Sequence, residues 1–334
     1  MRVLVLMILV ALCPAVAEAS AAEWPADLLV GPHEVVTVEE VEFRREGREM
    51  AMPVRIRYPR PSEGRPGPFP LVVFSHGMGG FVNAFEKLSA HLASHGYVVI
   101  HPAHTDSIAL RRRAGESAAS LRREFTSKGV RMVDLPARVA DCRWILAHIS
   151  EIEAKIEQPG LIDAERTAMA GHSAGAMTTQ ALAGILFFAA GARPGLPLAD
   201  GSDFDAYIII SGQGTTRPGL RERSWQGFLK PTLVFAGSVD TTPVSNETPQ
   251  SRRHPFEHAP PGEKYLIYID GATHGSYQGG SAPHADEKRI EALTAHATLA
   301  FLELHLKQNE APRVWLNAAS PEKFAGVKAE YRMK

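Results

Sequence analysis

Three short strings in the chain carry residue types that can act on a carbonyl: Gly171-His172-Ser173-Ala174-Gly175, a turn containing Asp240, and a turn containing His274. A serine hydroxyl is a weak nucleophile until a base removes its proton. Chemistry at Ser173 therefore needs an imidazole, and an acid to orient it, brought in from other parts of the chain. The GxSxG string follows the short apolar run Thr167 to Ala170 and precedes an alanine-rich stretch, Ala174 to about Ala190. That is the strand, turn and helix context in which the glycines permit a tight, strained turn, the serine is pushed out at the strand end, and the helix N-terminus favours developing negative charge. The partners should then follow in the order serine, acid, histidine, each at the C-terminal end of a later strand. Thr232 to Ala236 leads into Gly237-Ser238-Val239-Asp240, and Tyr265 to Ile269 leads into Asp270-Gly271-Ala272-Thr273-His274. Among rival acids, Asp203 and Asp205 precede a strand and Asp270 shares the histidine's own turn, so Asp240 fits best.

An attacked carbonyl develops an oxyanion that needs two backbone donors. One is expected from the N–H of Ala174. The other is assigned to Met78, in the glycine-rich string Ser75-His76-Gly77-Met78-Gly79-Gly80 after the apolar run Leu71 to Phe74. The Met78 thioether should also overhang the acyl pocket. Phe81, Gln213 and Tyr277 adjoin these loops and are candidate pocket walls. His91 and His95, four apart, with His101 and His104, invite a zinc reading, but no glutamate follows His91 as the metalloprotease motif requires. No metal or cofactor is expected.

The elements that must position these loops alternate along the chain. Two β-rich stretches, Val35 to Phe43 and Met50 to Tyr58, read as a leading hairpin, and a Pro/Gly-rich linker delivers the buried strand Leu71 to Phe74. Phe81, Phe85, Leu88 and Leu92 have helical spacing, with Gly96 as a stop before the strand Tyr97 to Ile100. Ala103 to Arg131 is a polar, basic excursion whose Arg111 to Arg123 cluster reads as a solvated face. Asp134 can cap a helix from Leu135 to Ile149, with Pro136 in its first turn. A strand at Ala206 to Ile210, those before Asp240 and His274, and a last helix with Ile290, Leu293, Ala297, Phe301 and Leu304 on one face complete the pattern. The sum is an α/β fold: a mostly parallel sheet of eight-stranded type, flanked by helices, in one domain over 30–310, with 311–334 a tail that finds no place in it.

The N-terminus, Met1-Arg2 followed by the apolar run Val3 to Leu12 and small residues, has the form of a signal peptide over 1–21, too short for a spanning helix. An exported protein, periplasmic or secreted and without a stable membrane anchor, is expected. Its one remaining cysteine, Cys142, lies on the helical stripe Val139, Cys142, Leu146, Ile149 and should be packed rather than reactive. With 36 Lys and Arg against 37 Asp and Glu, no global field favours nucleic acid, so a small-molecule ester is the expected partner.

FSHGMGG, AGHSAG, VFAGSVDTTPV and DGATHG together resemble the dienelactone hydrolase, cutinase-like and platelet-activating-factor acetylhydrolase branch of the α/β hydrolases, over about Val54 to Lys307. The phrase Leu135-Pro-Ala-Arg-Val-Ala-Asp141 resembles a scaffold helix of bacterial members. The resemblance implies an α/β-hydrolase fold and a metal-free carboxylic-ester hydrolase working through an acyl-enzyme. Dienelactone hydrolases proper carry cysteine where Ser173 stands. The plasma acetylhydrolases place their acid after the preceding strand, where this chain reads Ile210-Ser211-Gly212-Gln213. The cutinase-like polyester hydrolases share the acid position of Asp240 but carry an aromatic residue in place of Met78 and a tryptophan near Gln213. The same triad would also serve an acyltransferase or a small exopeptidase. The fold can host a silent binding protein too, against which an intact triad argues.

Overall fold

The computed structural model describes residues 31–188, 195–278, 285–317 and 326–334; the expected signal segment lies outside them. An antiparallel hairpin of β1 (Val35–Phe43) and β2 (Met52–Pro59) opens the chain, with Val36 opposite Tyr58. Then come β3 (Phe69–Ser75), helix α1 (Glu86–Ser94) and β4 (Val98–Pro102), which pairs in parallel with β3. The excursion after β4 contains α2 (Ile108–Arg113) and α3 (Ala118–Lys128) and leads to α4 (Leu135–Ala147) and α5 (Ile149–Lys155). Asp134 caps α4 by accepting the Ala137 N–H at 3.0 Å. β5 (Ile162–His172) runs into α6 (Ala174–Leu182), and a small ribbon pairs β6 (Leu186–Phe187) with β7 (Leu196–Pro197). The remaining strands are β8 (Ala206–Ile210), β9 (Thr232–Gly237), β10 (Lys264–Ile269) and, after the long helix α8 (Ala285–Leu306), β11 (Ala329–Met333); α7 (His254–Glu257) lies between β9 and β10, and α9 (Ala311–Asn317) between α8 and β11.

One sheet of nine strands results, in the order β1-β2-β4-β3-β5-β8-β9-β10-β11. Its centre, from β4 to β10, is parallel, and alternate side chains feed two cores. Leu71, Val73, Met169 and Ile209 pack on one face beneath α4 and α6, while Val72, Phe74, Ile208 and Phe235 pack on the other, where α8 lies. Register decides where chemistry can assemble. Ser75 lies beside Gly171, His172 beside Ile210, and Gly237 beside Ile269, so the loops leaving β3, β5, β8, β9 and β10 emerge at one rim. This is the α/β-hydrolase architecture, whose ligands sit at the carboxyl ends of the strands.

Several boundaries differ from the sequence expectation. The ninth strand comes from the segment set apart as a tail: Tyr331 pairs with Ile267, so the sheet continues past residue 310 almost to the C-terminus. Helix α6 stops at Leu182 rather than near Ala190, because Gly184 turns the chain at φ 93° and the Tyr207 hydroxyl takes the Leu182 carbonyl at 3.1 Å. Helix α1 starts only at Glu86, after Phe85 in a left-handed conformation, φ 53°. Cys142 is fully buried in the core beneath β3 and α6. Among the described residues no helix is long and apolar enough to cross a membrane.

Candidate active site

The turn between β5 and α6 is strained at its centre, where Ser173 has φ 56° and ψ −114°. Steric crowding explains the flanking glycines. A Cβ on Gly171 would lie 2.3 Å from the Gly175 carbonyl oxygen, and one on Gly175 would lie 1.9 Å from that of Ser75. Neither position can carry a side chain while α6 packs this closely on β5 and β3. The turn is fixed further by the Ser173 N–H donating to Ile210 O at 3.1 Å and by Gln213, whose amide donates to the Ser173 carbonyl at 2.9 Å. Gln213 is itself held by Gln180 at 3.3 Å, and Gln180 by the buried Trp225 indole at 2.8 Å.

The loops after β9 and β10 bring the other two residues into line. His274 Nε2 is 2.9 Å from Ser173 Oγ, and His274 Nδ1 is 2.8 Å from Asp240 Oδ1. Asp240 is fully buried, which alone would raise its pKa. The hydrogen bond from His274 and the charge of Arg252, 3.3 Å away, outweigh that and hold the carboxyl below its ordinary value. Tyr277 donates to Asp240 Oδ2 at 3.3 Å. His172 donates from Nε2 to the His274 carbonyl at 2.8 Å; burial pushes its pKa down to about 3, so it braces the histidine loop as a neutral ring.

Sequence reasoning missed Ser211 and Arg252. The Ser211 hydroxyl donates to Asp240 Oδ2 at 2.5 Å and lies 2.7 Å from His274 Nδ1, on a backbone with φ 58°. The end of β8 thus reaches the same imidazole nitrogen as the end of β9, which is why a carboxylate on either loop could orient it. The position after Ile210 was a visible signal for Ser211. Arg252 sits in an irregular segment and gave none. Its guanidinium also donates to the carbonyls of Ser211 and Gly212, at 3.2 and 3.0 Å, tying the loop after β8 to the loop that carries Asp240.

The glycine-rich loop after β3 rests on a buried polar network. Arg138, on α4, grips Asp106 through two bonds of 2.7 Å and donates to the carbonyls of His76 at 2.6 Å and Gly77 at 3.3 Å. Behind it, Ser75 Oγ is 2.8 Å from His104 Nε2, and His104 Nδ1 is 2.8 Å from Asp141 Oδ2, with Arg45 paired to the same carboxylate. Burial drives the pKa values of His76 and His104 well below the ordinary histidine value, so both rings are neutral hydrogen-bonding struts. The phrase Leu135 to Asp141 owes its composition to this task, supplying Arg138 and Asp141 from one helix. Among the described residues, no acceptor takes the N–H of Met78 or of Ala174.

A cavity of about 340 Å³ opens on Ser173 and is lined by Met78, Ala174, Met177 and Gln213 among others. The structure thus brings six of the eight expected site residues together: Ser173, His274 and Asp240, both expected oxyanion donors, Met78 and Ala174, and Gln213. It corrects two. Phe81 lies outside this cavity with the Arg113 guanidinium 4.6 Å above its ring, and Tyr277 is buried behind Asp240, where its hydroxyl serves the carboxylate. The rival acids are engaged elsewhere: Asp203 pairs with Arg143, Asp205 accepts the Thr167 N–H, and Asp270 accepts from Ser238. Of the histidines weighed for zinc, His91 lies against His95 with the rings tilted by 57°, His101 stacks on Phe74, and His104 belongs to the Asp141 network.

Comparison with known proteins agrees with this architecture. Residues 39–188 match the family model described as platelet-activating factor acetylhydrolase, isoform II. That span contains Ser173 but ends before the loops of Asp240 and His274. The chain is 25% identical over 136 residues to a platelet-activating factor acetylhydrolase of Bos taurus and 28% identical over 133 residues to that of Cavia porcellus. Each match takes in 33% of this chain and about a third of the relative, 31% and 30% respectively.

Proposed function

From its place among the platelet-activating factor acetylhydrolase-like members of the α/β-hydrolase superfamily, we propose that the chain is a serine carboxylic-ester hydrolase acting on small or lipid-like esters. The observation that carries this reading is the unbroken line from Ser173 Oγ through the His274 imidazole to Asp240, with contacts of 2.9 and 2.8 Å. In the proposed reaction His274 Nε2 takes the hydroxyl proton as Ser173 Oγ adds to the ester carbonyl. Asp240, accepting from Nδ1–H, keeps the ring in the tautomer that leaves Nε2 free and stabilises the imidazolium that forms. The N–H groups of Ala174 and Met78 receive the oxyanion, each worth about 100-fold or more in turnover.

His274 then protonates the departing alcohol, and an acyl group remains on Ser173. Water, activated by the same imidazole, attacks that acyl group and releases the acid. No step in this scheme requires a cofactor. The signal-like segment 1–21 supports export to the periplasm or beyond.

Hydrolysis of p-nitrophenyl acetate and butyrate tests the reading. The purified chain should turn over at least one of them, and Ser173→Ala should reduce the rate by several orders of magnitude. A Ser173→Ala protein as active as its parent would overturn the assignment.

A further inference from the structure

The cavity that opens on Ser173 is lined by four cations, Lys128, Arg131, Arg217 and Arg252, and one carboxylate, Glu247. Their partners differ. Arg252 is paired with Asp240, and Lys128 with Glu124 at 2.9 Å. Among the described residues Arg131 donates only to main-chain carbonyls, those of Ser127 at 3.1 Å and Lys128 at 3.4 Å. The Arg217 guanidinium has no hydrogen-bond or ion-pair partner among the described residues, although it is half-buried in the cavity wall.

Glu247 does not fill that role. Its Oε2 accepts from the Gly214 N–H at 3.0 Å, the Thr216 hydroxyl at 2.6 Å and the Ser251 hydroxyl at 2.7 Å, so it ties together the loop that carries Arg217. It acts on Arg217 only as a charge at a distance. Burial is the larger influence and lowers the Arg217 pKa. A guanidinium drawn partly out of water without a directly paired counter-charge is unfavourable, and five donors in a planar fork are suited to a carboxylate or phosphate.

We propose that Arg217, with Arg131 at the rim, recognises an anionic group carried by the ester substrate while its carbonyl lies at Ser173. The proposal rests on the esterase reading and narrows the substrate class to esters with an oxyanion remote from the scissile bond. That oxyanion can be a carboxylate at the end of the acyl chain or a phosphate on the alcohol.

Two substrate pairs separate the sources: p-nitrophenyl hydrogen glutarate against p-nitrophenyl methyl glutarate, and 1-acetylglycerol 3-phosphate against glycerol monoacetate. The readout is the ratio of kcat/KM, charged over neutral, in the parent, in Arg217→Gln and in Arg217→Lys. A charge-assisted contact predicts a ratio of about ten or more in at least one pair. The ratio should fall toward one in Arg217→Gln, be partly retained in Arg217→Lys, and shrink with added salt. Calorimetry of glutarate and inorganic phosphate binding to Ser173→Ala, with and without Arg217→Gln, reads the site without turnover and should show binding that depends on Arg217.

A parent that hydrolyses neutral esters with no preference for charge in either pair, or a preference that survives Arg217→Gln, removes the anion site and leaves the esterase reading standing. Anion binding that is absent from Ser173→Ala, or indifferent to Arg217, also overturns it. Arg217-dependent binding in a chain that turns over no ester would instead support the anion site and sink the esterase reading.

Discussion

Replacing Arg138 by methionine separates what the buried network does for stability from what it does for the loop beside Ser173. Arg138 is wholly inaccessible and meets Asp106 in two bonds of 2.7 Å. Without it the Asp106 carboxylate would keep the Asp134 N–H, at 3.2 Å, as a partner but would lose its counter-charge. Breaking a buried pair from one side costs about 3–5 kcal/mol. Removing both charges, in Arg138→Met with Asp106→Leu, should return most of that, to within about 1–2 kcal/mol of the parent. Activity should not return with it. The carbonyls of His76 and Gly77 lose their guanidinium donor in both variants, so the Met78 N–H is no longer held in place. Loss of one oxyanion donor reduces turnover by about 100- to 1,000-fold. Urea unfolding and kcat on p-nitrophenyl butyrate, measured on the single and double variants, test both halves. A double variant within a few-fold of parental turnover would show that the loop stands without Arg138. A single variant that unfolds at the parental midpoint would refute the energetic argument.

Asp240→Asn should lower kcat by about 10⁴-fold, since an amide at that position can donate to Nδ1 and favour the wrong tautomer, whereas the exposed Asp270→Asn should leave kcat within about two-fold; the reverse ranking would move the acid. Acid should unfold the protein early. Burial holds His91, His101 and His172 at pKa values of about 3, and His296 and His305 at about 4, against about 6.5 when unfolded. The unfolded chain therefore binds protons that the native one refuses. The stability is fully present above about pH 6.5 and declines as pH falls toward about 3, by up to about 1.4 kcal/mol per unit for each ring. Urea midpoints measured from pH 8 to 5 should fall steeply below 6.5, and a flat profile would contradict this.

The alignment of Ser173, His274 and Asp240 was legible because its logic is local. Each member stands just after an apolar strand, in an order that a parallel sheet imposes, and Gly171 and Gly175 mark a turn where a side chain would collide with backbone. What could not be read were contacts made between loops. Ser211 and Arg252 reach Asp240 only because β8, β9 and β10 end at the same rim, and Arg138 matters only once α4 lies beneath the β3 loop. The place of Phe81 and Tyr277 in the chain suggests the pocket wall, but a residue three positions past His274 can point behind it. Tyr277 does so, reaching the acid from the core side. The alanine-rich run after Ser173 favours helix by propensity, yet Gly184 at φ 93° ends it early. β11 has charged residues at alternate positions and lies on the sheet edge, so its pattern resembles a solvated tail until it is paired with β10.

Covalent capture tests the nucleophile most directly. A fluorophosphonate incubated with the purified chain should add to one residue, and digestion followed by mass spectrometry should place the adduct on the peptide containing Ser173, with none formed in Ser173→Ala or after acid unfolding. An unmodified native protein, or an adduct on any other serine, would contradict the account.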